Sequence, residues 1–311
     1  MSRRAAVASL VLLALAAPAA ADGAGLPVGD STTGVVLGPH RFIALPAGRS
    51  TVVERLAVHG GQPLRSRFLP GLMVVPAVAT DGTAGGISRD GRTLVLQNPR
   101  VGYPQRVSTL YFVDPVRLFV KRTLELRGDF SFDAISPDGS TVYLIQLSAK
   151  DPRRYAVRAL DARSGRLFAK PVVDPREPDE VMRGLPITRV TSPGGRFEYT
   201  LYSGDQHPFV HALDTVGRSA ACIDLPLRND SPQMHLRLGR GRLVVDDGSG
   251  QRAYVDLASY KARLAPTVAA PPKHRDHGGR SWLPWALLAA GAALLLPAAL
   301  VVRRRRSRLP A

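Results

Sequence analysis

Gly86-Ile87-Ser88-Arg89-Asp90-Gly91-Arg92-Thr93-Leu94-Val95-Leu96 and, 48 residues on, Ala134-Ile135-Ser136-Pro137-Asp138-Gly139-Ser140-Thr141-Val142-Tyr143-Leu144 carry one pattern. In both, a Ser-x-Asp-Gly turn is set between two apolar strands. A weaker copy runs Val190-Thr191-Ser192-Pro193-Gly194-Gly195-Arg196-Phe197-Glu198-Tyr199, and a fainter one Arg237-Leu238-Gly239-Arg240-Gly241-Arg242-Leu243-Val244-Val245. Their turn glycines, Gly91, Gly139, Gly195 and Gly241, fall at intervals of 48, 56 and 46 residues. The aspartate caps free backbone N–H groups at the reversal, and the glycine supplies a positive φ.

Each copy is followed by a strand that ends in Asp: Leu110–Asp114, Val157–Asp161, Val210–Asp214 and Ala253–Asp256. After Asp161 comes Ala-Arg-Ser-Gly and after Asp214 Thr-Val-Gly, both readable as tight turns into a further strand. Val142-Tyr143-Leu144-Ile145 is apolar on both faces, which places it in a sheet covered on both sides. A repeat of about 50 residues, four strands each, with sheets covered on both faces, is the blade of a β-propeller.

Upstream, Gly34–Leu37, Phe42–Leu45, Thr51–Val58 and Leu64–Leu69 supply strands for a first blade, with His59-Gly60-Gly61 at a hairpin. The fold class read from these runs is all-β, a propeller of about five four-stranded blades over 34–264. A six-blade ring with shared terminal strands, or a β-sandwich, is compatible with the same runs. The Ser-Pro-Asp-Gly turn and the strand-Asp-x-x-x-Gly hairpin resemble the YVTN- and WD-type repeats of bacterial exported propellers. The tryptophan of the eukaryotic WD repeat is missing. The resemblance implies an exported scaffold and hardly constrains function.

Both ends of the chain point to a membrane. Trp282 to Val302 is an unbroken apolar run, long enough to cross a hydrocarbon core, and Arg303, Arg304, Arg305, Arg306 and Arg308 follow at once. Clustered arginines stay on the cytoplasmic side, and Trp282 and Trp285 suit the opposite interface. At the other end, Arg3 and Arg4 precede an apolar stretch too short to span, closed by Ala19-Ala20-Ala21. That is the order of a cleaved secretory signal, with an uncleaved anchor as the alternative. The expected organisation is a signal peptide over 1–21, the propeller, a Pro/Gly-rich stalk over 265–281, a transmembrane helix over 282–302 and a basic cytoplasmic tail over 303–311. The plasma membrane is then the expected location, with the large domain outside.

The formal charge is +17, and seven of the basic residues flank the two apolar ends. The remaining arginines are dispersed without interleaved aromatics, so nucleic acid is not the expected partner. Cys222 is the single cysteine, so no internal disulfide forms; it reads as a small buried apolar residue. His274 and His277 lie in the stalk, where no further metal ligand is near.

The sequence holds no Gly-x-Ser-x-Gly, His-Glu-x-x-His or phosphate loop. Candidate sites come from the architecture. The long loops, Gln97–Val107, Gln146–Tyr155, Ser203–Pro208 and Val173–Leu185, should share one face. In the last, Asp174, Glu177, Asp179 and Glu180 gather four carboxylates that suit Ca²⁺ or a solvated surface. Aligning the repeats puts Gly85, Asp133, Arg189 and His235 at one position on the innermost strands, around the axis. Asp133 and Arg189 there read as a ligand site or as an internal ion pair. The leading expectation is a binding or sensing module whose partner, an exported protein, peptide or cell-wall polymer, docks on the long-loop face. The alternative is an exported hydrolase or lactonase-like enzyme that uses the channel-mouth carboxylates with His207 or His235. No cofactor beyond a Ca²⁺ ion is expected, and the sequence does not fix the oligomeric state.

Overall fold

The computed structural model describes residues 33–266, apart from 152–153, 180, 205–206, 229–232, 249 and 251. The signal peptide, most of the stalk, the membrane span and the tail read from the sequence lie outside the described residues. Among the described residues there is no α-helix, and so none long and apolar enough to cross a membrane.

The chain forms five antiparallel sheets in succession, each a meander in sequence order. The first holds β1 (Val35–Leu37), β2 (His40–Ala47), β3 (Ser50–Ala57) and β4 (Pro63–Pro70). The second holds β5 (Leu94–Gln97), β6 (Val107–Val113) and β7 (Val120–Arg127). Its inner edge is completed by the bridges Val74↔Gln97 and Ile87↔Leu94. The third holds β8 (Phe130–Ile135), β9 (Thr141–Leu147) and β10 (Tyr155–Asp161), with Leu167 and Val172 bridging to its outer edge. The fourth is β11 (Pro186–Thr191), β12 (Phe197–Tyr202), β13 (Phe209–Asp214) and β14 (Ser219–Asp224). The fifth is β15 (His235–Gly239), β16 (Arg242–Asp246), β17 (Arg252–Asp256) and β18 (Ala262–Leu264).

Local chemistry explains the repeat. In the second and third sheets the serine hydroxyl donates to the aspartate (Ser88 to Asp90, Ser136 to Asp138, both 2.6 Å). The same hydroxyl oxygen accepts the backbone N–H of Thr93 at 3.0 Å or Thr141 at 2.9 Å. Gly91, Gly139, Gly195 and Gly241 have φ of 68°, 72°, 73° and 67°, where an L side chain is disfavoured. The strand-ending aspartates cap their turns: Asp114 accepts from Arg117 at 2.7 Å, Asp214 from Gly217 at 2.9 Å and Asp256 from Ser259 at 2.8 Å.

Apolar faces of successive sheets join into four clusters. Val53 and Leu69 of the first sheet meet Val75, Leu94 and Leu96 of the second. Phe112 and Leu126 meet Phe132 and Leu144, and Tyr143 and Val157 of the third sheet meet Tyr202 and Leu213 of the fourth. Leu201 and Val210 then meet Leu243 and Val255 of the fifth. Covered faces of this kind drive the packing, each large buried side chain contributing roughly 1.5–3 kcal/mol before ordering costs. Among the described residues no such cluster joins the fifth sheet to the first. The arrangement is propeller-like, with five blades and four apolar seams.

Candidate functional site

Four innermost strands or limbs line one cavity of about 200 Å³. Val35–Leu37 come from β1, Thr83–Ile87 from the second blade, Phe132–Ile135 from β8, and Arg189 and Thr191 from β11, with Glu198 beside them on β12. One end is roofed. The hairpin held by Val78 N–H to Thr83 O (2.8 Å) reaches from the second blade to the fourth, where Thr80 N–H donates to Pro186 O at 2.8 Å and Asp81 N–H to Ile187 O at 3.2 Å. Pro186 and Ile187 begin β11, so this roof stands on the long-loop face. The cavity lining extends the other way, to Leu37, Arg89 and Gly195 among the short turns.

Asp133 sits where the β8–β9 register slips between Phe132 and Ala134. Such a bulge re-aims a side chain out of strict alternation. Arg189, in register with Thr200, donates from Nη2 to Asp133 Oδ1, from Nη1 to the Asp133 carbonyl and from Nε to Thr200 Oγ1 at 2.7 Å. Asp133 is 3% exposed and Arg189 8%, yet Asp133 Oδ2 has no hydrogen-bond partner. The ion pair read from the sequence is therefore present and bridges two blades. Glu198 accepts from Thr191 Oγ1 at 2.7 Å. Burial pushes its carboxyl up and Asp133 adds to this, against Arg189 and Thr191, leaving it at about 7. His211 is buried in the same blade, and burial lowers it to about 4, which keeps it neutral.

His235 departs from the expected ring. It is exposed at the start of β15, on the side opposite buried Leu236, and lies outside the cavity lining. Of the four aligned positions, those of the second, third and fourth blades (Gly85, Asp133 and Arg189) line the cavity, and that of the fifth does not, because the fifth blade contributes no lining residue. His207 lies on the long-loop face, paired with Asp224 at 3.0 Å. No histidine is among the cavity's lining residues, so neither candidate base of the enzyme reading reaches it.

The carboxylate loop also divides. Asp174 is buried and takes hydrogen bonds from Arg176 and from Cys222 N–H at 2.9 Å. Burial alone would raise its carboxyl; the Arg176 side chain and backbone N–H and the Cys222 N–H overcome this and hold it at about 2. It pins the loop to β14. Glu177 and Asp179 are exposed, and Glu180 lies outside the described residues. Among the described residues no three His, Cys, Asp or Glu side chains gather as a metal site. Cys222 is half-buried, its Sγ 3.9 Å from Met182 Sδ, and so is less enclosed than its apolar surroundings in the sequence imply.

The loops Gln146–Tyr155 and Val173–Leu185 do come together. Between them lies a groove of about 400 Å³ lined by Leu147, Tyr155, Pro171, Pro178, Val181 and Met182 among others. The loops of this face also carry exposed apolar side chains: Val101 at 93%, with Tyr103, Val107, Val181 and Leu185 each more than a third exposed. The loop bearing Val101 is held by Arg100, which pairs with buried Asp129 at 2.7 Å.

No family model matches the chain, and no curated protein is similar to it. Among solved structures, the uncharacterized protein lmo1340 from Listeria monocytogenes EGD-e is 8% identical with a TM-score of 0.42, over 75% of this chain and 81% of that one. A putative 6-phosphogluconolactonase from Bacteroides uniformis ATCC 8492 is 13% identical with a TM-score of 0.43, over 74% and 68%. The Dos1 propeller is 12% identical with a TM-score of 0.42, over 69% of this chain and 54% of that chain, about half its length. Likenesses this distant carry no argument about activity, and the blade assignment rests on the strand pairing.

Proposed function

We propose that the chain is an exported, membrane-anchored β-propeller that docks a protein or peptide on its long-loop face. The supporting observation is the set of exposed apolar side chains, Val101, Tyr103, Val107, Val181 and Leu185, on loops rooted in buried strands. Loops on a rigid scaffold are where binding residues collect, and several exposed apolar side chains on the loops of one face suit a protein partner better than a sugar polymer. The anchoring half of the proposal rests on the apolar run 282–302 and its arginines.

Val101→Ser with Val181→Ser and Leu185→Ser should leave the melting temperature within a few degrees and abolish capture of the partner obtained with the unaltered chain from membranes. Val116→Ser with Val216→Ser, on the short-turn face, should leave capture intact. Loss of capture in the second variant alone would place docking on the wrong face. A reporter fused after Ala311 should be active only in its cytoplasmic form; activity only outside would refute the orientation while leaving the docking face untouched.

A further inference from the structure

We infer that the axial cavity is a second binding site, separate from the loop face, that takes a small organic cation: a primary amine on a short apolar body. Three observations carry this. The cavity lining is mixed, with Phe132, Val35, Val78 and Ile135 supplying apolar surface and Asp133 and Glu198 supplying carboxyl groups. Asp133, almost wholly buried, leaves Oδ2 unpartnered although it lines the cavity. A buried carboxylate oxygen without a donor is costly, and a bound ammonium would satisfy it. The hairpin over Thr80 and Asp81 closes the long-loop end, so a ligand reaches the cavity from the turn face, past Arg89 and Gly195.

Charge selects the class. Arg189 is engaged through all three nitrogens by Asp133 and Thr200. With Glu198 ionised, the inner lining holds two carboxylates against that one guanidinium. The charged groups facing Glu198 are Arg189 on β11 and Asp133 on β8, with exposed Arg89 at the turn end. Size selects the probe. A cavity of about 150 Å³ is known to accommodate benzene, so 200 Å³ suits a ligand of roughly five to eight heavy atoms.

The test is calorimetric titration of the full chain in detergent with n-butylamine, n-butanol and butyrate, at pH 6 and pH 8. Butylamine should bind saturably at pH 8, at least about tenfold more tightly than the other two. It should weaken at pH 6, because a carboxyl titrating near 7 is then mostly protonated. Glu198→Gln keeps the shape and the bond from Thr191, and should lower butylamine affinity about tenfold without changing butanol. Asp133→Asn should do the same where it folds; Glu198→Gln stands as the test where it does not. Equal binding of all three probes would show an apolar void that selects by size, and tighter butyrate would show an anion site at the arginines. Butylamine binding that ignores both pH and Glu198→Gln would place the amine elsewhere. Any of these three overturns the inference, as does failure to bind butylamine at pH 8.

Discussion

Leu118, Gly165, Arg218 and Tyr260 each stand four residues after a strand-ending aspartate, and each has positive φ, between 53° and 74°. Their N–H groups donate back to the aspartate carbonyls at 2.7–2.9 Å. The turn demands this conformation, yet only one of the four is glycine, which is why the sequence shows the aspartates clearly and the strained position hardly at all. Arg218 offsets its strain with a contact over the Phe168 ring, 4.2 Å from the centroid. Arg218→Gly and Arg218→Ala both lose that contact, but only alanine keeps the strain. The glycine variant should therefore be the more stable by about 1 kcal/mol in chemical denaturation, the reverse of the usual order in regular strands. Asp174 gives a second residue-level test. Its folded carboxyl lies near 2, below the ordinary value of 3.8, so its stabilising contribution is complete above about pH 4 and is lost as pH falls through 2. Asp174→Asn should flatten the melting temperature over that window and leave the slope above pH 5 unchanged.

At the scale of the element, turns and buried strands were legible because each turn repeats a Ser-x-Asp-Gly or strand-Asp signal at near-constant spacing. The bulge that re-aims Asp133 was not, since a one-residue slip leaves no mark in a strand whose six residues are all buried. The roof was not legible either: Thr80 and Asp81 meet Pro186 and Ile187 through backbone groups over a hundred residues away. Blade one shows how far alternation can be trusted. Phe68 and Leu69 are neighbours on β4 but differ in exposure, 71% against 3%. Phe68 pairs with Val52 and, through it, lies beside exposed Leu45, while Leu69 packs toward the second blade. Leu69→Ala should cost about 2–5 kcal/mol by leaving a cavity, and Phe68→Ala less than about 1 kcal/mol. Similar losses at the two positions, measured by denaturant unfolding, would mean that a covering surface reaches the outer face of the first blade.

Across the whole molecule, the four seams make the stability of a blade depend on its place in the series. The second, third and fourth blades are each gripped on two sides; the first and fifth have one apolar seam each. The free face of the fifth blade is polar, with Arg237, Val244, Tyr254 and Arg263 in register across it, and Arg242 lies over the Tyr254 ring. The free face of the first carries Val36, Leu45 and Phe68. These two surfaces are poor matches for each other, since burying arginines against aliphatic groups costs more than it returns. Repeat arrays held by nearest-neighbour interfaces open from their ends, and amide exchange reads that opening blade by blade. Strands β9 and β12 should be the last to exchange, β2, β3, β16 and β17 several-fold earlier, and the difference should persist at low denaturant. Uniform protection across all five blades, lost in a single step, would require a fifth seam. In that case Leu45 and Phe68 should also be protected from hydroxyl-radical labelling of their side chains, which would locate the missing contact on β2 and β4.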